Sequence, residues 1–188
     1  MRRSQPESLK GQLDTVVAAA SAAADWFRRP APSALSAART ARLRALGWRE
    51  AAVAAHKPLR GFAKTDAADV SFALREAVEH SAQAVAEAAR YGVESDQGLL
   101  KIAEAVREAA KSLAAVTALR GKARVGALIE AKKWAGEAER LRRLTREGAH
   151  EDPSLTNALK RETVSTRLSN AAEAVQQACD ALSGSLVE

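Results

Sequence analysis

Residues 65–105 read TDAADVSFALREAVEHSAQAVAEAARYGVESDQGLLKIAEA, and this stretch decides the fold class. Thr65 can cap a helix through its hydroxyl, and the acidic residues that follow suit the positive end of the helix dipole. Apolar residues then recur at helical spacing until Gly92 breaks the pattern, and a second amphipathic segment starts near Ser95. The stretch therefore predicts two consecutive helices.

The composition of the whole chain favours the same secondary structure. Hydrophobic residues make up 47% of the 188 residues, most of them alanine, and aromatic residues make up 4%. Alanine is the strongest helix former, whereas strands favour β-branched and aromatic residues. We expect an all-α fold, with enough length for one compact domain or two small helical ones.

Six helical segments can be placed along the chain. They run from about Pro6 to Phe27, from Ser33 to Pro58, from Thr65 to Gly92, from Ser95 to Leu119, from Lys122 to Glu147, and from Asp152 onwards. Proline and glycine mark most of the boundaries, with Ser33 and Asp152 as expected N-caps. Short connections predict antiparallel neighbours packed as bundles.

We expect the large apolar residues of each segment to face the core. They are Leu9, Leu13, Val16, Val17 and Ala20 in the first segment, Leu35, Leu43, Leu46 and Val53 in the second, and Phe72, Leu74, Val78, Val85 and Ala89 in the third. They continue as Leu99, Ile102, Val106, Leu113 and Val116 in the fourth segment, Val125, Leu128, Trp134, Ala138, Leu141 and Leu144 in the fifth, and Leu155, Leu159, Val164, Leu168, Val175 and Leu182 in the sixth.

The net charge of +6 is concentrated at one end of the chain. Residues 1–60 hold eleven Lys and Arg against four Asp and Glu, whereas the remaining residues hold eighteen against nineteen. Such an excess can face anionic lipid, an acidic partner or nucleic acid, or it can be a solvated face. The expected partner-binding residues are Arg28, Arg29, Arg39, Arg42 and Arg49, of which the last three flank Leu46 on nearly one helix face.

Several classes of protein are disfavoured by the sequence. Cys179 is the single cysteine, so an internal disulfide is impossible, and it is expected to be a small core residue. The first residues lack an apolar signal core, and the longest apolar run is far shorter than the roughly 20 residues of a membrane span. No phosphate-binding loop or catalytic triad can be ordered. We expect a cytoplasmic protein that is not an enzyme.

Two short segments carry a family resemblance. Residues 62–70, FAKTDAADV, are similar to a helix start that reads Thr-Pro-Phe-Asp-Arg-Glu-Asp-Ile, and residues 88–93, AARYGV, are similar to a helix end that reads Leu-Tyr-Gly-Ile. Weaker similarity covers residues 48–56, 136–141 and 177–180. Both patterns are typical of the PhoU-like accessory proteins encoded beside Pit-type phosphate transporters, which this chain resembles over most of its length.

The resemblance implies an architecture and a function. The family consists of two three-helix bundles, which here would span residues 1–93 and 94–188. It implies a non-enzymatic accessory or regulatory protein that docks on an inorganic phosphate transporter at the cytoplasmic face of the membrane, with an anionic membrane surface as a second partner. The number of chains in the assembly, including a homo-oligomer, is left open.

An alternative function stays open beside this one. A generic helical adaptor or a nonspecifically DNA-associated protein could use the same basic N-terminal third. Sequence-specific nucleic-acid binding is not expected, because interleaved aromatic residues and a helix-turn-helix signature are lacking.

The resemblance also bears on metal binding. Family members gather metal ions with acids four residues apart on one helix face. The corresponding pairs here are Ala45 with Arg49, Arg75 with Glu79, Ala135 with Glu139, and Glu173 with Gln177. Glu79, Glu139 and Glu173 are the surviving acids. We therefore expect the metal site to be lost or reduced to a weak single-ion site, and no other cofactor.

Two histidine patterns have simpler interpretations. Glu147 and His150 have the Glu-x-x-His spacing of di-iron bundles, but this spacing occurs once and next to a glycine at a helix end. His80 follows Glu76 by one helical turn, which indicates an ordinary surface pair.

Overall fold

The computed structural model describes residues 8–48, 64–93, 96–149 and 154–184. Within these ranges every regular element is an α-helix and no strand occurs. The helices are α1 (Leu9–Arg28), α2 (Pro32–Ala45), α3 (Lys64–Tyr91), α4 (Gln97–Ala115), α5 (Gly121–Ala149) and α6 (Leu155–Gly184). The predicted all-α fold is confirmed over the described residues.

Local chemistry accounts for the first two helices. The Ser8 hydroxyl accepts a hydrogen bond from the backbone N–H of Gly11 at 3.2 Å and caps the start of α1. Helix α2 begins directly at Pro32, with Ala31 as its N-cap and no side-chain cap, so the cap predicted at Ser33 is wrong. Proline suits the first helical position because an N–H at that position would have no partner within the helix.

The junction between α3 and α4 depends on glycine. Gly92 has a left-handed φ of 65° and ends α3. The Asp96 carboxylate then caps α4 by accepting a hydrogen bond from the backbone N–H of Leu99 at 3.0 Å. A Cβ on Gly98 would come within 2.8 Å of Thr145 Oγ1 on α5. Glycine at this position therefore lets the start of α4 approach α5 closely.

Several boundaries differ from the predicted ones. Helix α2 ends at Ala45, well before the predicted end at Pro58, and Gly47 follows it with a left-handed φ of 88°. Helix α3 already includes Lys64, so the N-cap predicted at Thr65 is wrong.

Helix α4 ends at Ala115, before the expected end near Leu119, because the chain turns after it. Arg124 of α5 donates hydrogen bonds to two carbonyl oxygens of that turn, those of Val116 and Leu119. The hydroxyl of Ser154 caps α6 by accepting from the N–H of Asn157 at 3.3 Å. The cap predicted at Asp152 lies outside the described residues.

The helices pack in a regular pattern of neighbours. Each of α1, α2 and α3 packs against the other two, and each of α4, α5 and α6 does the same. The most extensive contact in the molecule joins α3 to α6, and α1 also packs against α4.

One long-range contact and one short turn define the directions of the first three helices. The Ser71 hydroxyl donates to the Gln12 side-chain oxygen at 3.0 Å, which places the starts of α1 and α3 at the same end. Since a short turn reverses the chain after α1, α2 runs antiparallel to both.

The core combines alanine with a smaller set of large side chains. The largest fully buried side chains include Phe27, Leu13, Leu74, Leu99, Ile102, Leu113, Leu168 and Leu182. Buried alanines from all six described helices surround these side chains, and their small size lets the helix axes approach closely.

The predicted core face is confirmed for the fourth segment and only partly for the second. All five residues predicted for the fourth segment are buried, Val116 directly after the end of α4. In α2, Leu35 packs partly against the core as predicted. In α2 the buried residues are Ala34, Ala38, Ala41 and Ala45, whereas Leu43 and Leu46 are 69% and 58% exposed. Further predicted core residues are also exposed, against prediction: Phe72 in α3, Val125 and Leu144 in α5, and Leu155 and Leu159 at the start of α6. Val53 lies outside the described residues.

Candidate functional site

The basic residues predicted to bind a partner centre on α2. Ala34, Ala38, Ala41 and Ala45 turn one face of the helix inward, and this orientation places Arg39, Leu43 and Leu46 on the opposite face. These three exposed residues follow one another at steps of four and three, so they share one face. We call them the α2 outer face. Arg49, the next predicted residue, lies outside the described residues.

Arg42 is engaged within the protein. Its guanidinium makes two contacts with the Glu79 carboxylate of α3: Nε lies 2.7 Å from Oε2 and Nη2 lies 2.6 Å from Oε1. The Gln83 amide donates a further hydrogen bond to Oε1 at 2.5 Å. Parallel contacts of this kind are the strongest arginine–carboxylate geometry. The pair therefore fixes α2 against α3.

The charge state of Glu79 follows from these contacts. Partial burial acts to raise the pKa of the carboxyl, but the hydrogen bonds from Arg42 and Gln83 and the nearby charges of Arg42 and Arg75 outweigh it. The pKa of Glu79 lies below its ordinary value as a result. Glu79 is thus an ionised partner of arginine.

Arg28 and Arg29 stand beside the turn between α1 and α2. Arg28 pairs with Asp25 at 3.2 Å and with Glu104 of α4 at 2.6 Å, so it links α1 to α4. Among the described residues, no acid lies within ion-pair distance of Arg29 or Arg39. An open groove of about 480 Å³ runs past Arg28, Arg29 and Ser33.

The other two surviving acids lie together in a second groove. Glu139 of α5 and Glu173 of α6 line it, with Ser169 and Arg143, and its volume is about 270 Å³. The Ser169 hydroxyl donates a short hydrogen bond to Glu139. Arg142 and Arg143 lie 3.6 Å and 3.9 Å from the same carboxylate. Glu173 accepts a hydrogen bond from Gln177 at 3.4 Å.

These contacts do not fit a multinuclear metal centre. Glu79 is held by arginine, and Glu139 by serine and arginine, whose cationic groups repel metal ions. Within the described ranges, no three His, Cys, Asp or Glu side chains gather where they could hold an ion. Arg42 lies 37 residues from Glu79 and Ser169 lies 30 residues from Glu139, so no local sequence pattern identifies these two partners. Arg142 and Arg143, in contrast, follow Glu139 by one helical turn.

His80 and Cys179 are both largely shielded from solvent. The His80 Nε2 atom lies 3.7 Å from Glu76, and its buried Nδ1 lacks a hydrogen-bond partner within the described structure. Burial lowers the pKa of His80, although the charge of Glu76 partly opposes this shift. Burial also raises the pKa of the Cys179 thiol to about 12. Cys179 is buried, so its predicted location in the core is confirmed. His150 lies outside the described residues.

Comparison with known proteins gives no family assignment. No protein-family model matches the chain, and a search of curated proteins finds no significant match.

No described helix combines the length and the apolar content that crossing a membrane requires.

Proposed function

We propose that this chain is a non-enzymatic accessory or regulatory protein of an inorganic phosphate transporter and that it docks at the cytoplasmic face of the membrane. The observation that carries the proposal is the packing pattern, in which α1–α3 and α4–α6 each form a set of three helices in mutual contact. We interpret the sets as the two three-helix bundles that the sequence resemblance implies, with the boundary near Gly92. The fold and the resemblance thus support the same family.

The docking surface in this proposal belongs to the N-terminal bundle. Arg29 and Arg39 are exposed cations without an acidic neighbour among the described residues, whereas Arg28 and Arg42 are held by acids of the bundle. We therefore assign the partner contact to Arg29 and the α2 outer face, and a structural role to Arg28 and Arg42. Acidic loops of a transporter are the complementary surface.

The proposal needs no bound metal. In this interpretation, protein contacts replace the ion-mediated links of the family, because Arg42 binds Glu79 and Ser169 binds Glu139. We expect the purified protein to lack stoichiometric iron or zinc.

Co-purification with a phosphate transporter tests the function. The full chain is expressed with the transporter encoded beside its gene, and association and phosphate uptake are measured. We expect the double change Arg29→Gln and Arg39→Gln to reduce association by about five- to thirtyfold, because each exposed cation contributes up to about 1 kcal/mol at a charged interface. The matched control is Lys122→Gln with Lys133→Gln on α5, which removes the same charge from the other bundle.

Three results would count against this function. They are an absence of association, unchanged phosphate uptake in cells lacking the protein, and equal loss of binding in the control variant. Binding to DNA of any sequence with the same arginine dependence would instead support the nonspecific DNA-associated alternative.

A further inference from the structure

The α2 outer face is a basic and apolar helix face with no covering element among the described residues. Leu43 and Leu46 are 69% and 58% exposed, and Arg39 stands one turn before Leu43. From Pro32 to Leu46 the chain contains three arginines and no acidic residue. An interfacial helix that lies on an anionic membrane has the same composition, with apolar residues flanked by cations.

The packing of α2 leaves this face available as a whole. Its extensive contacts are with α1 and α3, through the alanine face. The α2 outer face lies on the other side of the helix from the alanine face and is exposed to solvent, whereas Leu35 near the start of α2 packs partly against the core. An exposed helix face of this kind can contact a flat surface.

We propose that the α2 outer face binds the surface of an anionic lipid bilayer directly. The leucines would enter the boundary between headgroups and acyl chains, and the Arg39 guanidinium would contact lipid phosphates. Charge complementarity favours anionic lipid, because Arg39 is exposed on this face without an acid at ion-pair distance among the described residues, whereas Arg42 is held by Glu79. The inference deepens the proposed function, on which it rests for the location at a membrane, and it assigns part of the affinity to lipid itself.

A second exposed leucine pair provides a matched control. Leu155 and Leu159 of α6 are also four residues apart and are 74% and 59% exposed. Their helix face continues to Glu162, which pairs with Arg142 and Arg146 of α5, and to Glu173, whose charge anionic lipid would repel. Comparing the two pairs therefore distinguishes the effect of exposed leucines alone from the effect of exposed leucines beside a cation.

Vesicle co-sedimentation of the full chain tests the inference. The vesicles contain phosphatidylglycerol mixed with phosphatidylcholine, or phosphatidylcholine alone. We expect Leu43→Gln with Leu46→Gln to weaken binding to the anionic vesicles at least about tenfold, since two partly buried leucines are withdrawn from lipid. Arg39→Gln should weaken it about fivefold, an effect that high salt removes. Leu155→Gln with Leu159→Gln should change it less than about twofold, and circular dichroism checks that all variants keep their helicity.

The inference is overturned if the wild-type protein does not bind anionic vesicles, if it binds neutral vesicles equally well, or if both leucine pairs matter equally. These vesicles contain no transporter. If the protein does not bind the vesicles but still co-purifies with a transporter, the lipid contact alone is refuted. If it binds the vesicles but does not co-purify with a transporter, the proposed transporter function alone is refuted.

Discussion

Helices α2 and α4 contain leucine at similar density but use it in opposite ways. In α4 the leucines and Ile102 face the core, and the exposed side is polar or charged. In α2 the alanines face the core, and Leu43 and Leu46 face solvent. The same residue type therefore marks the interior in one helix and the exterior in the other.

The difference shows how alanine changes the meaning of an apolar pattern. Ala34, Ala38, Ala41 and Ala45 recur at helical spacing, just as the leucines of α2 do, so α2 has two apolar stripes. Packing against two neighbours at once favours the stripe with small side chains, because it lets the axes approach. Helix α4 has no such competition, since its small and large apolar residues lie on one side.

The largest expected effect comes from truncating the α4 core. Ile102 is fully buried, so Ile102→Ala should reduce the free energy of unfolding by about 3 kcal/mol through lost burial and a cavity. Urea denaturation followed by circular dichroism measures it. Leu43→Ala in α2 is the control and should change stability by less than about 0.5 kcal/mol. Equal losses in the two variants would mean that α2 buries its leucines.

An intermediate effect is expected when the alanine face of α2 is enlarged. Ala38 is 1% exposed between α2 and its neighbours, so Ala38→Leu should overpack the contact and cost about 2 kcal/mol. The control is Ala37→Leu, which adds the same atoms at an exposed position and should be close to neutral. Thermal unfolding of the two variants reports the difference, and the opposite order would refute the assigned face of α2.

The smallest effect concerns the ion pair that joins α2 to α3. Arg42→Gln should cost about 0.5 kcal/mol at neutral pH, because the Arg42 side chain is half exposed and solvent weakens the pair. The pKa of Glu79 is lowered in the folded state, so the stabilisation is present above the ordinary pKa of 4.5 and is lost as the pH falls through the lowered value. Unfolding curves of the wild type and the variant should therefore converge in acid. A difference that persists at low pH would assign the loss to packing of the arginine stem.

Much of the fold could be predicted because its signals are local. Prolines and glycines placed most helix boundaries to within a few residues, and the single unambiguous stripe of α4 was assigned correctly. The predicted end of α2 near Pro58 was wrong, because the helix already ends at Ala45. The orientation of α2 could not be predicted, since it depends on which of two stripes its neighbours select. The same limit applies to the site. Arg28 and Arg42 were predicted as partner contacts, but their acids, Glu104 and Glu79, lie far away in sequence and become neighbours only in the folded chain.

The alanine-lined contact of α2 also affects local unfolding. Separating α2 from α1 and α3 would expose mainly methyl groups, which bury little area each, and it would break the Arg42–Glu79 pair. The contact between α3 and α6, the most extensive in the molecule, would remain intact. Local opening of α2 should therefore require less free energy than global unfolding. The helix that presents the exposed leucines is thus the one that can tilt to follow a surface while the other five helices stay packed.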